Sequence, residues 1–418
     1  KLLNNKSKYS IIFTIWAEMT WPMSKHIRKD RYPHMKAYLI LEDGTVFTGT
    51  SIGSEREVIS EIVFNTSMTG YLEVLTDPSY AGQAVVMTYP LIGNYGICHE
   101  DMESAKPWPD GYIVRELSRI PSNFRSEDTI QNFLKCHDIP GICGIDTRAL
   151  TKILREKGTM NGMITTREYT DLSGPIKRMK EHCVSGVVMK TTTKEKYVLP
   201  GKSLSDSGLS DNSGLSGKNG PSANCFPGAG KRVALMDYGA KKNIARSLNR
   251  LGCEVTVYPA DTRAEEVLAA CPDGIMLSNG PGDPKENTAV IEEIKKLYAS
   301  DVPIFAICLG HQLMALANGM DTYKLKYGHR GGNHPVKDLE TGRVYISSQN
   351  HGYVVDMETV PPDIAVPAFV NVNDGTNEGL KYVGKNIFTV QYHPEACPGP
   401  LDSGYLFDRF LKMMEVND

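Results

Sequence analysis

The sequence predicts an α/β protein of two domains, the second of them built on a mainly parallel sheet. Short apolar runs alternate with helical spacing from residue 232 to residue 313, which is typical of a parallel sheet covered by helices. One of these runs ends at Cys308, and helical spacing begins directly after it. Near the start of the first domain, two alternating segments flank a turn at residues 42–44. That pattern predicts an antiparallel unit.

Length and composition place the chain among ordinary globular proteins. Its 418 residues are enough for about two or three domains. Hydrophobic residues make up 41% of the chain and charged residues 23%, which are common values for folded proteins. The formal net charge of −3 gives no reason to expect a nucleic acid or an anionic membrane as partner.

The cysteines indicate a reducing environment. The chain has nine of them, dispersed singly and without any C-x-x-C pattern. An odd, scattered set of this kind predicts neither a disulfide framework nor a structural zinc cluster. We therefore expect a cytoplasmic protein with no metal site.

Composition divides the chain into four segments. Residues 1–34 are predicted to be a non-native or disordered leader, because Glu18 interrupts their apolar run and Met35 is a natural start before the first strand. Residues 35–195 form the predicted first domain. Residues 196–230 are rich in Ser and Gly and predict a flexible linker. The second domain is predicted at residues 231–418.

Periodicity predicts the elements of both domains. In the first domain, strands are expected at 38–41, 46–48, 60–64 and 85–89, and helices at 126–135 and 149–156, the latter capped by Asp146. In the second domain, strands are expected at 233–237, 254–258, 274–278, 304–307 and 344–347, and helices at 243–251, 264–270 and 290–298.

Three residues predict a nucleophile and its base. Cys308 lies at a turn from strand to helix, where unpaired N–H groups and the helix dipole favour the thiolate. His393 and Glu395 lie at the end of another strand-like run, two residues apart, so that both can point the same way. An imidazole can move a proton to or from sulfur, and a carboxylate can orient the imidazole. The alternative is a buried structural cysteine and an unrelated histidine.

Several loops could complete the site. The segment Ser278–Pro284 holds two glycines beside a proline and could supply an oxyanion hole together with the N–H of Leu309, although an ordinary turn is an equal alternative. Gln349–Tyr353 is predicted as a polar loop. His311 would point away from the thiol and is interpreted as structural. Residues 327–334 contain two histidines but lack a recognised metal-binding pattern.

These motifs together resemble a known family. Residues 303–312, the loop at 279–284, residues 349–352 and the segment 393–395 resemble a class I (triad) glutamine amidotransferase domain. Five motifs of the first half are similar to the small subunit of carbamoyl-phosphate synthetase, at residues 64–71, 75–80, 89–96, 121–124 and 144–150. The resemblance runs from about residue 35 to the C-terminus, apart from the linker.

The resemblance implies an activity and assigns the site. It implies that the chain hydrolyses glutamine to glutamate and ammonia through a Cys thioester, with Cys308 as nucleophile, His393 as acid and base, and Glu395 as the residue that orients it. It further implies that glutamine is held by positions on several loops, namely Ser67, Gly280, Gly282, Leu309, Gln312, Asn350, Gly352 and Tyr353.

The resemblance also implies a partner. Ammonia would pass through a tunnel to a large subunit that uses ATP and Mg²⁺ to join it to bicarbonate and phosphate, and carbamoyl phosphate would feed pyrimidine and arginine synthesis. No cofactor is expected on this chain, and no ATP-binding motif occurs in it. A heterodimer, with higher oligomers of it as a further expectation, is the implied assembly.

Three alternatives remain open at this level. The amidotransferase could serve another synthetase, such as one that makes anthranilate or GMP, although the first 190 residues would then have no purpose. It could be a regulatory subunit that binds glutamine without hydrolysing it, which the intact triad disfavours. It could also be a γ-glutamyl peptidase that acts alone.

Overall fold

The computed structural model describes residues 35–201, 226–396 and 398–415. The predicted leader, residues 1–34, lies outside this part of the chain, as does most of the predicted linker. The described residues form two large sheets, with helices packed on both, and a separate two-stranded sheet.

The first sheet closes into a barrel of seven strands within the described residues, in the order β1-β2-β8-β6-β4-β3-β9. The chain from β3 through β4 and β6 to β8 pairs in parallel, and the remaining pairs are antiparallel. The strands of this half, including a separate two-stranded pair of β5 and β7, are β1 (Lys36–Leu41), β2 (Val46–Ser51), β3 (Val58–Asn65), β4 (Gln83–Met87), β5 (Leu91–Ile92), β6 (Gly111–Ile113), β7 (Glu116–Leu117), β8 (Gly141–Cys143) and β9 (Met160–Thr165).

The predicted antiparallel unit is confirmed by the pairing of β1 with β2. Their register places Ile40 opposite Val46. The turn between them contains Gly44 at φ 87°, a left-handed conformation that glycine adopts without steric cost. Its N–H donates to the carbonyl of Leu41 at 2.9 Å.

Helices cover the barrel, and a side-chain cap marks the start of two of them. The helices are α1 (Tyr71–Thr76), α2 (Ile130–Cys136), α3 (Thr147–Lys157), α4 (Ser173–Glu181) and α5 (Val187–Thr191). Asp146 caps α3 as predicted, because its carboxylate accepts from the N–H of Ala149 at 3.0 Å. The prediction that α2 begins at residue 126 was wrong: the hydroxyl of Thr129 accepts from the N–H of Asn132 at 3.2 Å and starts the helix there.

The second sheet has ten strands among the described residues, in the order β10-β12-β11-β13-β14-β19-β18-β17-β15-β16. The predicted parallel arrangement is confirmed for the central run from β12 to β19, and antiparallel strands extend both sides of it. The strands are β10 (Tyr197–Leu199), β11 (Arg232–Asp237), β12 (Glu254–Pro259), β13 (Gly274–Leu277), β14 (Ile304–Ile307), β15 (Thr322–Asp338), β16 (Val344–Val355), β17 (Ala365–Asn371), β18 (Asn377–Tyr382) and β19 (Ile387–Val390).

Strand β10 corrects the predicted linker. Residues 197–199 pair antiparallel with β12, with Val198 opposite Thr256. A β-branched residue in a short Tyr-Val-Leu segment can extend a sheet edge, which the polar composition of the following residues concealed. The linker range therefore cannot begin at residue 196, while residues 202–225 lie outside the described part of the chain.

Helices cover both faces of the parallel strands and bury two separate cores. The core on one side of β14 includes stacked rings of Phe305 and Phe388, whose centroids are 4.3 Å apart. Because both faces of the strand are buried, its sequence is apolar throughout. The helices of this half are α6 (Lys242–Arg250), α7 (Ala264–Ala269), α8 (Thr288–Ala299), α9 (Leu309–Ala317) and α10 (Tyr405–Glu415).

Length and polarity rule out a membrane span for each helix that the structure describes.

Candidate active site

Cys308 lies between β14 and α9, on a strained turn. Its φ is +52° and its ψ is −104°, a conformation that costs an L-residue free energy and is held only by surrounding structure. The N–H of Cys308 donates to the carbonyl of Val390 on the neighbouring strand at 2.8 Å. The predicted turn from strand to helix at this thiol is therefore confirmed.

The predicted tendency of Cys308 to ionise is not confirmed. The side chain is buried, and burial raises the pKa of its thiol, with the carboxylates of Asp77 and Glu395 adding to that effect. Lys241 and the N–H of Leu309 act in the opposite direction but do not outweigh burial. The start of α9 alone therefore does not make a thiolate, and the thiol needs a base.

His393 and Glu395 form a hydrogen-bonded pair, as their spacing predicts. Nδ1 of His393 is 2.7 Å from Oε1 of Glu395, and both side chains are buried. The other ring nitrogen, Nε2, has no hydrogen-bond partner among the described residues. The N–H of His393 donates to the carbonyl of Ser348 at 2.9 Å, which fixes the backbone beyond β19. Because β19 pairs in parallel with β14, the imidazole and the thiol follow adjacent strand ends.

Lys241 contacts the carboxylate of this pair, and the sequence did not predict its role. Its Nζ lies 2.6 Å from Oε1 of Glu395, and both side chains are almost fully buried. Burial favours the neutral acid, but the charge of Lys241 and the contact with His393 prevail and lower the pKa of Glu395 to about 2. Glu395 is therefore an anion at neutral pH. Its position could have indicated this role, because Lys241 follows the end of β11, at the same edge of the sheet as Cys308.

A cavity of about 310 Å³ opens at the thiol. Its volume is at the lower end of the range for small-molecule sites. The wall includes these members of the predicted site: Gly280, Gly282, Cys308, Gln312, Asn350, Gly352 and Tyr353. Barrel residues complete the wall, among them Glu61 and Gln83. The cavity thus lies between the two sheets.

Four predicted site residues are not in the cavity wall: Ser67, Leu309, His393 and Glu395. Leu309 still directs its backbone N–H toward the sulfur of Cys308. Ser67 follows β3, and its N–H donates to Oδ1 of Asn65 at 2.7 Å. The structure therefore leaves the predicted contact of Ser67 with glutamine as a prediction.

The loop at residues 280–282 packs so closely against its neighbours that Gly280 has no space for a side chain. A Cβ on Gly280 would lie 2.3 Å from the carbonyl oxygen of Tyr238 and 2.7 Å from Cδ2 of Leu309. Gly282 has φ +87°, which favours glycine. The loop can therefore bring its backbone N–H groups close to a ligand, as the sequence predicts.

The segment Gln349–Tyr353 was wrongly predicted as a loop. It is part of β16, which continues to Val355 and pairs antiparallel with β15. Gln349, Asn350 and His351 are buried, and the side chains of Gln349 and His351 hydrogen-bond within the sheet, so polarity here does not indicate solvent. Gln312 fixes the strand by donating from Nε2 to the carbonyl of Tyr353 at 2.7 Å.

The barrel contributes side chains that the sequence analysis did not assign. Nδ2 of Asn350 donates to Oδ2 of Asp77 at 2.9 Å, and Nδ2 of Asn279 donates to Oγ of Ser79 at 2.9 Å. Both acceptors belong to the short segment after α1. The motif at residues 75–80 was noted only for its resemblance, and its contact with the second domain is visible only in the structure.

His311 is confirmed as a structural residue. Its Nδ1 lies 2.7 Å from Oγ1 of Thr389, inside the protein. Burial lowers the pKa of His311 to about 3, so the ring is neutral. A neutral ring with a fixed partner on β19 is not poised to serve Cys308.

Two family models match most of the chain. Residues 39–164 match the carbamoyl-phosphate synthase small chain, CPSase domain, and residues 234–413 match glutamine amidotransferase class-I. The chain is also similar to a solved structure of a glutamine amidotransferase from Thermotoga maritima, with 17% identity, a TM-score of 0.33, and coverage of 45% of this chain and 85% of that one.

Curated relatives are similar over nearly their whole length. The carbamoyl phosphate synthase small chain of Listeria innocua is 48% identical over 92% of this chain and 98% of its own. That of Clostridium perfringens is 50% identical over 90% of this chain and 99% of its own. The chain belongs to the carbamoyl-phosphate synthase small chain family.

Proposed function

We propose that this chain is the glutamine-hydrolysing subunit of a carbamoyl-phosphate synthetase. The observation that carries the proposal is the buried contact between His393 and Glu395 beside a strained Cys308, on a cavity between the two sheets. Such a constellation fits nucleophilic attack on a carboxamide. Membership of the family supplies the substrate class.

The reaction begins with proton transfer from Cys308 to His393. Because burial raises the pKa of the thiol, the transfer is coupled to attack of sulfur on the side-chain carbonyl carbon of glutamine. The resulting C–S bond gives a tetrahedral intermediate. When the C–N bond breaks, the imidazolium gives its proton to the departing nitrogen, and ammonia leaves a glutamyl thioester.

Water completes the cycle. His393 takes a proton from a water molecule while the oxygen of that water attacks the thioester carbon. The C–S bond then breaks, and His393 returns the proton to the sulfur of Cys308. Glutamate and the free thiol result. Glu395 remains ionised throughout, because Lys241 holds its pKa at about 2, and it stabilises the imidazolium that forms in both halves.

Backbone donors near the thiol support an oxyanion hole. The N–H of Leu309 already points at the sulfur, and the 280–282 loop borders the same cavity. One donor of this kind contributes about 3 kcal/mol to the transition state. We propose that glutamine is held by Gly280, Gly282 and the remaining predicted positions, with Ser67 reaching it from the barrel.

The proposal includes a partner. We propose that ammonia passes to a large subunit that holds ATP and Mg²⁺ and makes carbamoyl phosphate for pyrimidine and arginine synthesis. The names of the relatives, which are small chains, support a large subunit. Higher oligomers, the lack of a cofactor on this chain and a cytoplasmic location remain proposals; the described cysteines, which are free thiols, are consistent with the last.

A trapping experiment tests the chemistry. The purified chain is mixed with labelled glutamine, quenched in acid and digested, and the peptide that contains Cys308 is analysed by mass spectrometry. We expect a glutamyl adduct on that peptide in wild type and none in Cys308→Ser. A chain that binds glutamine but forms no adduct would be a regulatory subunit, and the proposed mechanism would be wrong.

A further inference from the structure

Three buried side chains of the second sheet converge on one point, and one of them, His351, also borders the cavity at Cys308. His329 on β15, His351 on β16 and Glu378 on β18 each offer one ligand atom, and these atoms all lie within 4.8 Å of one another. Nδ1 of His329 is 3.7 Å from Oε1 of Glu378. All three residues are buried, and Glu378 is 0% exposed. No step of the proposed glutamine chemistry uses them.

The outer contacts orient both histidines toward the centre of this cluster. Nε2 of His329 lies 2.8 Å from Oδ2 of Asp374, and Nδ1 of His351 lies 2.9 Å from the carbonyl oxygen of Tyr353. Histidines that bind metals commonly donate their other N–H to a carboxylate or a backbone carbonyl. Both histidines follow this pattern, which leaves Nδ1 of His329 and Nε2 of His351 as the inner atoms.

The inner atoms lack satisfactory partners. Nδ1 of His329 and Oε2 of Glu378 are buried without a hydrogen bond to any described residue. Nε2 of His351 lies 2.8 Å from Oε1 of Gln349, which is an acceptor. The amide nitrogen of Gln349 donates to Oε1 of Glu378 at 2.8 Å. If the amide of Gln349 were flipped, its oxygen would face the carboxylate of Glu378 and the two would repel. Buried polar atoms left in this way need an explanation.

We propose that His329, His351 and Glu378 bind a divalent transition-metal cation. Two imidazoles and one carboxylate are a donor set that suits Zn²⁺, with water as the remaining ligand. A neutral His329 that donates its Nε2–H to Asp374 would offer the lone pair of Nδ1 to the cation, and Glu378 would supply the negative charge. The ion would link three strands, one of which, β16, also carries Asn350 and Tyr353 of the glutamine cavity.

The cluster can be tested with the full chain and Zn²⁺ alone. The apoprotein competes with a chromophoric chelator for the ion, and bound metal is counted after dialysis. We expect one Zn²⁺ per chain in wild type. In Glu378→Gln, which preserves the shape and the contacts of Oε1, we expect affinity to fall by about 100-fold or more, since loss of even an outer contact costs 10–100-fold.

Two further samples make the result decisive. His99→Asn is the matched control, because His99 forms an exposed pair with Glu127 at 2.6 Å and should not affect binding. Glu378→Asp keeps the carboxylate and replaces the Gln variant if that one does not fold; we expect an intermediate affinity. Co²⁺ loaded in place of Zn²⁺ should show no thiolate charge-transfer absorption, which separates this site from cysteine ligands.

The proposal is overturned by any of three results. Wild type that retains no stoichiometric metal would show that the three side chains do not bind a cation. Unchanged affinity in folded Glu378 variants would place the ion elsewhere. A thiolate absorption band would assign it to cysteine. None of these results bears on the glutaminase proposal, because metal binding is measured without glutamine.

Discussion

The thiol of Cys308 remains protonated until a base takes its proton. Burial raises the pKa of the thiol, and the strained backbone at φ +52° holds Cys308 at the N-terminus of α9. The base is therefore essential, and so is the charge that stabilises it. His393, Glu395 and Lys241 form a continuous buried series of contacts that supplies this charge.

We expect Glu395→Gln to slow glutamine hydrolysis and to destabilise the protein in a pH-dependent way. The substitution removes the carboxylate that Lys241 contacts at 2.6 Å, and loss of one partner of a buried ion pair costs about 3–5 kcal/mol. The pKa of Glu395 is about 2 in the fold and about 4.3 in an unfolded chain, so its charge stabilises the fold fully above pH 4.3 and not below pH 2.

Urea denaturation measures this effect. The difference in unfolding free energy between wild type and Glu395→Gln should be largest near neutral pH and shrink as pH falls below about 4.3. A difference that stayed constant between pH 7 and pH 3 would show that Glu395 is not held as an anion. A glutaminase rate equal to that of wild type would remove it from the triad.

A second residue-scale prediction concerns Gly280. In Gly280→Ala, the new Cβ would meet the carbonyl oxygen of Tyr238 at 2.3 Å, so the loop must move away from the oxyanion. We expect kcat/KM for glutamine to fall by about 100-fold, the effect of one lost donor. The matched control is Gly174→Ala in α4, where no atom lies within 4 Å of the new Cβ. Equal activity of the two variants would contradict the assignment of the loop.

At the scale of elements, the segment after α1 reaches the active site. Asp77 accepts from Nδ2 of Asn350 and from the N–H of Ser79, both at 2.9 Å. We expect Asp77→Ala to raise KM for glutamine about 10-fold, because a hydrogen bond to a charged group contributes about 1.5–3 kcal/mol. Steady-state kinetics would measure it.

Asp146→Ala is the control for that variant. Asp146 likewise accepts from a backbone N–H, that of Ala149 at 3.0 Å, and it lies on the barrel, outside the wall of the cavity. Its loss should cost about 0.5–2 kcal/mol of stability and leave KM unchanged. If both variants changed KM alike, the effect of Asp77 would be one of general stability.

Elements were predictable where their period was regular. The parallel strands and the helices between them were found because buried strands are continuously apolar and the helices are amphipathic. β16 was misjudged from Gln349 onward, since polar side chains that hydrogen-bond inside a sheet look like a loop in sequence. β10 was missed because three residues give too little pattern to detect.

At the scale of the whole molecule, contacts between distant segments could not be predicted. The closure of the barrel, the ion pair of Lys241 with Glu395 and the contact of Asp77 with Asn350 join residues far apart in sequence, and no local pattern records them. The family resemblance assigned roles to Cys308, His393 and Glu395. It did not predict the contact of Lys241 with Glu395 or the raised pKa of the Cys308 thiol.

A substitution of Cys308 should abolish synthesis of carbamoyl phosphate from glutamine without abolishing its synthesis from free ammonia. In complex with a large subunit, Cys308→Ser should lose carbamoyl phosphate production from glutamine and retain it from free ammonia, because the thiol takes no part in later steps. Carbamoyl phosphate formed from each nitrogen source is the readout. Loss of both activities would show that Cys308 is needed for folding or assembly instead.

The most direct test of the central claim is glutamine-dependent ammonia release by the purified chain, alone and with a carbamoyl-phosphate synthetase large subunit, ATP and bicarbonate. We predict slow release by the chain alone, and much faster release with the partner, matched by carbamoyl phosphate. Absence of release under both conditions would contradict the claim that this chain is a glutaminase.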